Sequence, residues 1–419
     1  MARIVPVKAL MYSEKAGILS DLIAPPYDVI DEEKRKELSY KESYNAIHLE
    51  LAEPGEDRDQ RVKNTLNDWI KSGVLTYTDE EHFFAYEQEF SEQGTIYKRR
   101  ALFCGVESRS WENGAVKPHE FTLSAPKVDR LSLLKNTETQ FSPVFMLAKD
   151  RSGQLSSLLA KICDGSEATA IGTVDNVTHR IWMMPATEDY LRTLAPLLSE
   201  SFYIADGHHR YETSYAYKSS IGTQSVIEHP ANYCLTALVP SEDSGLIIRS
   251  LHRIVPNRVP SDWEKKLSKY FTIESVSSSN EQDYDDSGIL ALGLENPNSK
   301  HLLMLSNFER LRAEVDATKS DSWLKTQANI LRYGVLESLW GFDDEDLRSG
   351  SVAYTHLAEE VKQEVLLNSA TGFLLKPLSV DEVLTIADGG ERLPQKSTFF
   401  YPKIGSGLLF YPLLKDGLD

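Results

Sequence analysis

Cysteine is scarce in this chain. Its three thiols, Cys104, Cys163 and Cys234, stand far apart, so neither a disulfide framework nor a CxxC metal pair is suggested. Long hydrophobic runs are missing as well. Nothing approaches the roughly 18 apolar residues of a membrane span. The opening MARIVPVKALMYSEK, broken by Pro6 and Lys8, lacks a signal-peptide core. Positive charge is in the minority, with 45 Lys and Arg against 63 Asp and Glu and a formal net charge of -18. That balance argues against broad binding to nucleic acid or an anionic membrane, but not against a small anion in a local basic pocket. Also absent are a GxSxG elbow, a GxGxxG fingerprint, a GxxxxGK[ST] loop, an HExxH pair and the protein-kinase HRD and DFG motifs. The usual nucleophilic-hydrolase and dinucleotide readings are therefore without support. A reduced, cytoplasmic setting is expected.

What is present is a 419-residue chain with 41% hydrophobic and 26% charged residues, the composition of a soluble globular protein. RIVPVKAL reads as an opening strand, followed by the proline-stiffened turn APPYDVID. EEKRKELSYKES reads as a charged helix and NAIHLEL as a strand. RVKNTLNDWIKSGVL has helical apolar spacing up to Gly73. FFAYEQEF and TIYKRRALFCGVES form a β-hairpin joined through SEQG, and SFYIAD and NYCLTALVP read as further strands. The acidic stretch 277–288 is expected to be a surface loop. Strands and helices mix throughout, which predicts an α+β fold with mixed sheets and flanking helices.

The least ordinary stretch is YIADGHHRYETSYAY, residues 203–217. An apolar run stops at Asp206-Gly207, and a helical pattern starts with two histidines and an arginine. A helix start directs free N–H groups and a positive dipole end outward, a natural anion site. Gly207 lets a phosphate approach the backbone, and Arg210 can fork onto its oxygens. Asp206 either caps the helix or holds Mg²⁺. A separate reading takes His208, His209 and Glu212 as zinc ligands, although adjacent histidines diverge.

Two other polar groups stand out. Residues 389–407 carry Lys396, Ser397, Thr398 and Lys403 between glycines, candidates to contact phosphate or carboxylate. Residues 116–130 place His119, Glu120, Lys127, Asp129 and Arg130 in an expected loop, where Glu120 is a candidate general base. Tyr27 and Asp28 sit on the stiffened APPYDVI turn. The four letters IADG recur at 386–389, too short an echo to argue duplication.

Taken in order, APPYDVI, NAIHLEL, PHEFTLSAPKVDRLSLLKNTETQFSPVFML, YIADGHHRYETSYAY and LPQKSTFFYPKIGSGL resemble the DUF1015 family of bacterial and archaeal proteins. Through its DGHHR element that family is similar to the ParB/sulfiredoxin superfamily, which includes free-serine kinases. The resemblance implies a ParB/sulfiredoxin-like α+β core in residues 1–255, with an inserted hairpin region, and a C-terminal α/β region in residues 256–419. It implies phosphate contacts from Gly207, His208, His209 and Arg210, with Lys396, Ser397, Thr398 and Lys403 as further contacts. It puts Asp206 near a metal and makes Glu120, Asp28 and His209 the catalytic candidates. The implied cofactors are Mg²⁺ and ATP or ADP. The implied partners are a nucleotide and a small hydroxylated substrate such as free serine, with no nucleic acid and no membrane. A nucleotide-binding switch of the ParB kind is the alternative expectation. The sulfinic-acid reductase chemistry of sulfiredoxin is disfavoured, because His208 stands where that reaction needs a cysteine.

Overall fold

The computed structural model describes residues 2–122, 124–222, 228–276 and 288–414. The expected acidic surface loop lies outside the described residues apart from Gly288. The chain forms two compact units. One is built from Met1–Pro118, Thr122–Ile247 and Pro402–Asp419, the other from His119–Phe121 and Ile248–Tyr401. The fold is mixed α/β, with several sheets and many helices.

The first unit is organised by a mixed sheet of nine strands among the described residues. They are β1 (Ile4–Val5), β2 (His82–Glu92), β3 (Thr95–Glu107), β4 (Val116–Lys117), β5 (Val144–Ala148), β6 (Ala170–Val174), β7 (Val177–Pro185), β8 (Phe202–Asp206) and β9 (Tyr233–Pro240). The order across the sheet is β4-β8-β5-β9-β3-β2-β7-β6, with β1 pairing β3. The expected β2–β3 hairpin is present. Its turn is Gln93-Gly94, both at positive φ (49° and 80°), as the tight turns that match strand twist require. Strands β5, β8 and β9 are buried along their whole length, which is why VFMLA, FYIAD and YCLTALVP read as nearly continuous apolar runs.

Helices around this sheet include α1 (Glu32–Lys41), α2 (Ile47–Glu50), α3 (Arg58–Lys71), α4 (Ser124–Thr137), α5 (Gln154–Gly165) and α6 (His208–Ile221). In α3, Val62, Leu66 and Trp69 share one buried stripe at helical spacing and join a core with Leu10, Leu49 and Phe410. Two expectations need correction. NAIHLEL is not a strand: Asn45 Nδ2 donates to the carbonyls of Asp21 and Ile23, and its Oδ1 accepts from Ile47 N–H, so the chain turns into α2. The loop expected across residues 116–130 gives way to α4 at Ser124.

The second unit holds a six-stranded antiparallel sheet. Its strands are β10 (His252–Val255), β11 (Phe271–Ser275), β12 (Gly288–Leu292), β13 (Lys300–Leu305), β14 (Ala353–Thr355) and β15 (Thr371–Leu374), in the order β11-β13-β12-β15-β10-β14. Helix α7 (Ala358–Asn368) lays Val361 and Val365 on Ile254, Leu290 and Leu292. It lies so close to β15 that a Cβ on Gly372 would stand 2.3 Å from Val361 Cγ1. Helix α8 (Val380–Asp388) starts in a reciprocal cap between Ser379 and Glu382. The second IADG lies at the end of α8, whereas the first ends a strand. The echo is not a structural repeat.

Candidate functional site

The strand-to-helix junction read from the sequence is present in the first unit. Strand β8 ends at Asp206, where its register against β5 shifts between Ile204 and Asp206. Such an irregularity at a strand end re-aims the following residues. Gly207 is the N-cap of α6 at φ 87°, and no side chain caps the helix. An L residue avoids that conformation. Arg210 folds back over this glycine, since a Cβ there would meet its Nε at 2.8 Å and its Cζ at 3.0 Å. Its NH1 donates to the Pro143 carbonyl and its NH2 to Asp206 Oδ2, both at 2.5 Å. Arginine carries five N–H donors, so three remain for other use.

Asp206 is 9% exposed and receives two cations, Lys403 on Oδ1 and Arg210 on Oδ2. Burial by itself raises its pKa, but Lys403 and then Arg210 overturn that and hold the carboxyl at about 2. With both oxygens paired to cations and the imidazole of His208 also acting on it, Asp206 does not fit a magnesium ligand. It is the counter-ion that organises two basic side chains. Among the described residues, no group of three or more His, Cys, Asp and Glu is placed to hold a metal. The zinc reading of His208, His209 and Glu212 also meets a competing use. Glu212 accepts from Trp111 Nε1 at 3.1 Å and Thr122 Oγ1 at 2.8 Å, and pairs with Lys127 Nζ at 2.5 Å. It fastens α6 to its surroundings.

Lys403 is itself held in place. Gln88 Nε2 donates to the Lys403 carbonyl at 2.8 Å, and buried Arg99 donates to the Pro402 carbonyl and to Gln88 Oε1. The Arg99 guanidinium lies 4.7 Å from the Phe145 ring centre. Beside it, Tyr86 and His179 Nδ1 are hydrogen-bonded at 2.6 Å. Nothing in the periodicity of TIYKRRALF distinguishes Arg99 from its basic neighbours, so the sequence carries no signal for this support.

A second set of residues surrounds Arg210. Tyr27, on a turn of 3₁₀ helix after Pro26, faces the Arg130 guanidinium at 4.4 Å. Arg130 NH1 donates to the Glu50 carbonyl at 2.7 Å. The charges of Tyr27, Asp28, Glu50 and Asp206 all act on Arg210, so APPYDV and DGHHR, distant in sequence, meet in one unit. Glu50 was missed by sequence reading. Its signal was weak: an acid near the end of NAIHLEL, a short segment whose pattern reads as a strand. It is 3% exposed.

The remaining candidates group in the second unit. Glu120 Oε1 accepts from the N–H groups of Ser397 (3.0 Å) and Thr398 (2.9 Å) and from Thr398 Oγ1 (2.9 Å). Its Oε2 accepts from Lys396 N–H at 3.2 Å. Lys396 adopts φ 60°, so three successive N–H groups converge on one carboxylate, an anion nest. Buried His119 is hydrogen-bonded to Thr398 Oγ1 at 2.8 Å. Asp206, Arg210, Lys403, Tyr27 and Asp28 thus belong to the first unit, and Glu120, Lys396, Ser397 and Thr398 to the second.

The family model described as "Protein of unknown function (DUF1015)" matches residues 4–336. The chain belongs to the DUF1015 family. No curated protein matches this DUF1015 chain. Among solved structures it is similar to a conserved hypothetical protein from Pyrococcus furiosus, at 14% identity and TM-score 0.37, covering 75% of this chain and 97% of that one. It is also similar to a free serine kinase variant in complex with ADP, at 12% identity and TM-score 0.40, covering 75% and 94%. A third is SbnI with C-terminal truncation from Staphylococcus aureus, at 13% identity and TM-score 0.37, covering 73% and 88%. No helix among the described residues is long and apolar enough to cross a membrane.

Proposed function

We propose that this DUF1015 protein is a nucleotide-dependent phosphotransferase that phosphorylates a small hydroxyl compound such as free serine. The observation that carries the reading is the Gly207 junction. There, an uncapped helix start lies under the Arg210 fork, with Lys403 fixed beside it through Asp206. Phosphoryl transfer asks the protein for positioning and charge neutralisation more than for covalent chemistry. Backbone N–H groups of His208 and His209 and the remaining N–H groups of Arg210 would hold the phosphates of ATP or ADP within a ParB/sulfiredoxin-like core. In this reading the acceptor oxygen attacks the terminal phosphorus as the bond to the nucleotide oxygen breaks. Asp28, in the same unit as the cradle, takes the acceptor's proton, and His209 is the other candidate for that role. Because Asp206 does not fit a metal, no step is routed through Mg²⁺.

The test is thermal stability of wild type and Arg210→Ala against ATP, ADP, CTP and GTP, followed by nucleotide consumption with serine present. A ligand at a hundred times its dissociation constant adds about 2.7 kcal/mol. Losing one charged hydrogen bond in Arg210→Ala should weaken binding by about 1.5–3 kcal/mol. No stabilisation of the wild type by any nucleotide would end this reading.

A further inference from the structure

Arg210 also lines an open-sided cavity of about 50 Å³ to which the phosphate reading gives no role. It is lined by Leu133 and Phe141, by the polar side chains of Glu50, Ser142 and Thr213, and by Arg130 and Arg210. Two observations mark it as built for a ligand. Thr213 is 5% exposed, and its Oγ1 has no hydrogen-bond partner among the described residues. Glu50 is 3% exposed, forms no ion pair among the described residues, and has a single hydrogen bond to its carboxylate, from Ser142 Oγ to Oε1 at 3.0 Å.

The arginines do not compensate that acid by direct contact. Arg130 spends Nε and NH2 on Asp129 Oδ2 and NH1 on the Glu50 carbonyl. Arg210 donates to Asp206 and the Pro143 carbonyl, and neither bond reaches the Glu50 carboxylate. Burial pushes the Glu50 carboxyl up, with Arg130 and then Arg210 acting against it from a distance, and a cation docked directly on the carboxylate would hold it charged. The open-sided cavity beside it has room for the ammonium end of a small molecule, and Thr213 offers a second polar contact.

We propose that this cavity is the subsite for the ammonium group of a small amine, docked on Glu50 with Thr213 as its neighbour. Resting on the phosphotransferase reading, this makes the acceptor an amino alcohol or hydroxy-amino acid, held next to the phosphate cradle by its amine rather than by its hydroxyl.

Calorimetry on the full chain, with and without ADP, tests it using three probes: L-serine, ethanolamine, which lacks serine's carboxylate, and 3-hydroxypropionate, which lacks its amine. Serine and ethanolamine should bind and 3-hydroxypropionate should not. Glu50→Gln should weaken both amines by about tenfold to a hundredfold, the range of one charged hydrogen bond. Thr213→Val should weaken them less. The comparison of the three probes needs no variant, so it stands even if Glu50→Gln fails to fold. Equal binding of 3-hydroxypropionate, or no amine binding to the wild type, overturns the subsite even if nucleotide binds. Amine binding without nucleotide binding supports the subsite and counts against the phosphotransferase reading alone.

Discussion

Replacing Gly207 with alanine separates backbone strain from guanidinium placement. The residue has φ 87°, and an L side chain in the left-handed region costs about 1–2 kcal/mol. The new Cβ would also stand 2.8 Å from Arg210 Nε, closer than such atoms tolerate, so the fork must swing off the glycine. Swinging away gives up donations to Asp206 and the Pro143 carbonyl. Asp206 keeps Lys403, so the lower end of the charged-bond range applies, about 1.5 kcal/mol. The two terms together come to about 3 kcal/mol. In an Arg210→Ala background only the backbone term survives, so the same glycine substitution should cost about 1–2 kcal/mol there. Urea unfolding of the four proteins measures the cycle. Equal costs in the two backgrounds would show that Arg210 does not lie over Gly207. A neutral Gly207→Ala would remove the left-handed junction altogether.

Lys403→Met should destabilise the protein by about 1–3 kcal/mol at pH 7, because it leaves Asp206 buried with one cation fewer. The Asp206 pKa is depressed to about 2 in the fold, so its stabilisation exists above the unfolded value and is lost as pH falls through 2. In Lys403→Met the native carboxyl moves toward its unfolded value, so that loss should be smaller and complete at higher pH, and superimposable stability curves between pH 2 and 5 would contradict it. Burial, then Arg99, hold His179 at about 3. The unfolded chain therefore binds that proton first as pH falls below about 6.5, and wild type should lose up to about 1.4 kcal/mol per pH unit on the way down. His179→Gln should show a shallower slope, and an identical slope would place the acid sensitivity elsewhere. Glu120→Gln should speed amide exchange at Ser397 and Thr398 and cost about 1 kcal/mol, since an amide offers one accepting oxygen to the converging N–H groups. Unchanged exchange would mean the carboxylate does not hold that turn.

The parts of the fold legible in the sequence were those governed by local rules. FYIAD followed by Gly and a polar helix announced the junction, because an apolar run cannot continue through a glycine that turns left-handed. SEQG between two apolar strands announced the hairpin. NAIHLEL misled because its alternation is that of a strand, while the side chain of Asn45, bonded to carbonyls more than twenty residues earlier, bends it into helix. Helix α6 offered little apolar periodicity for a further reason. Its inner face is held by polar contacts: Tyr211 to the Arg109 carbonyl, Ser214 to Ser108, and Lys218 to the Ser108 carbonyl. At the site, the motif residues Asp206, Gly207 and Arg210 were recognisable because their types are unusual together. Glu50, Gln88 and Arg99 act through positions that only the three-dimensional chain path defines.

Lys403 belongs to the first unit, yet it follows residues 248–401 of the second in the chain. A ribosome therefore delivers Asp206 and Arg210 nearly two hundred codons before the cation that completes their cluster. Until then the helix start has a carboxylate matched by a single arginine. Nascent chains arrested before residue 403 should carry the strand, the glycine and the fork but an unfinished cradle. The timing of synthesis thus keeps this centre incomplete until the second unit has been made.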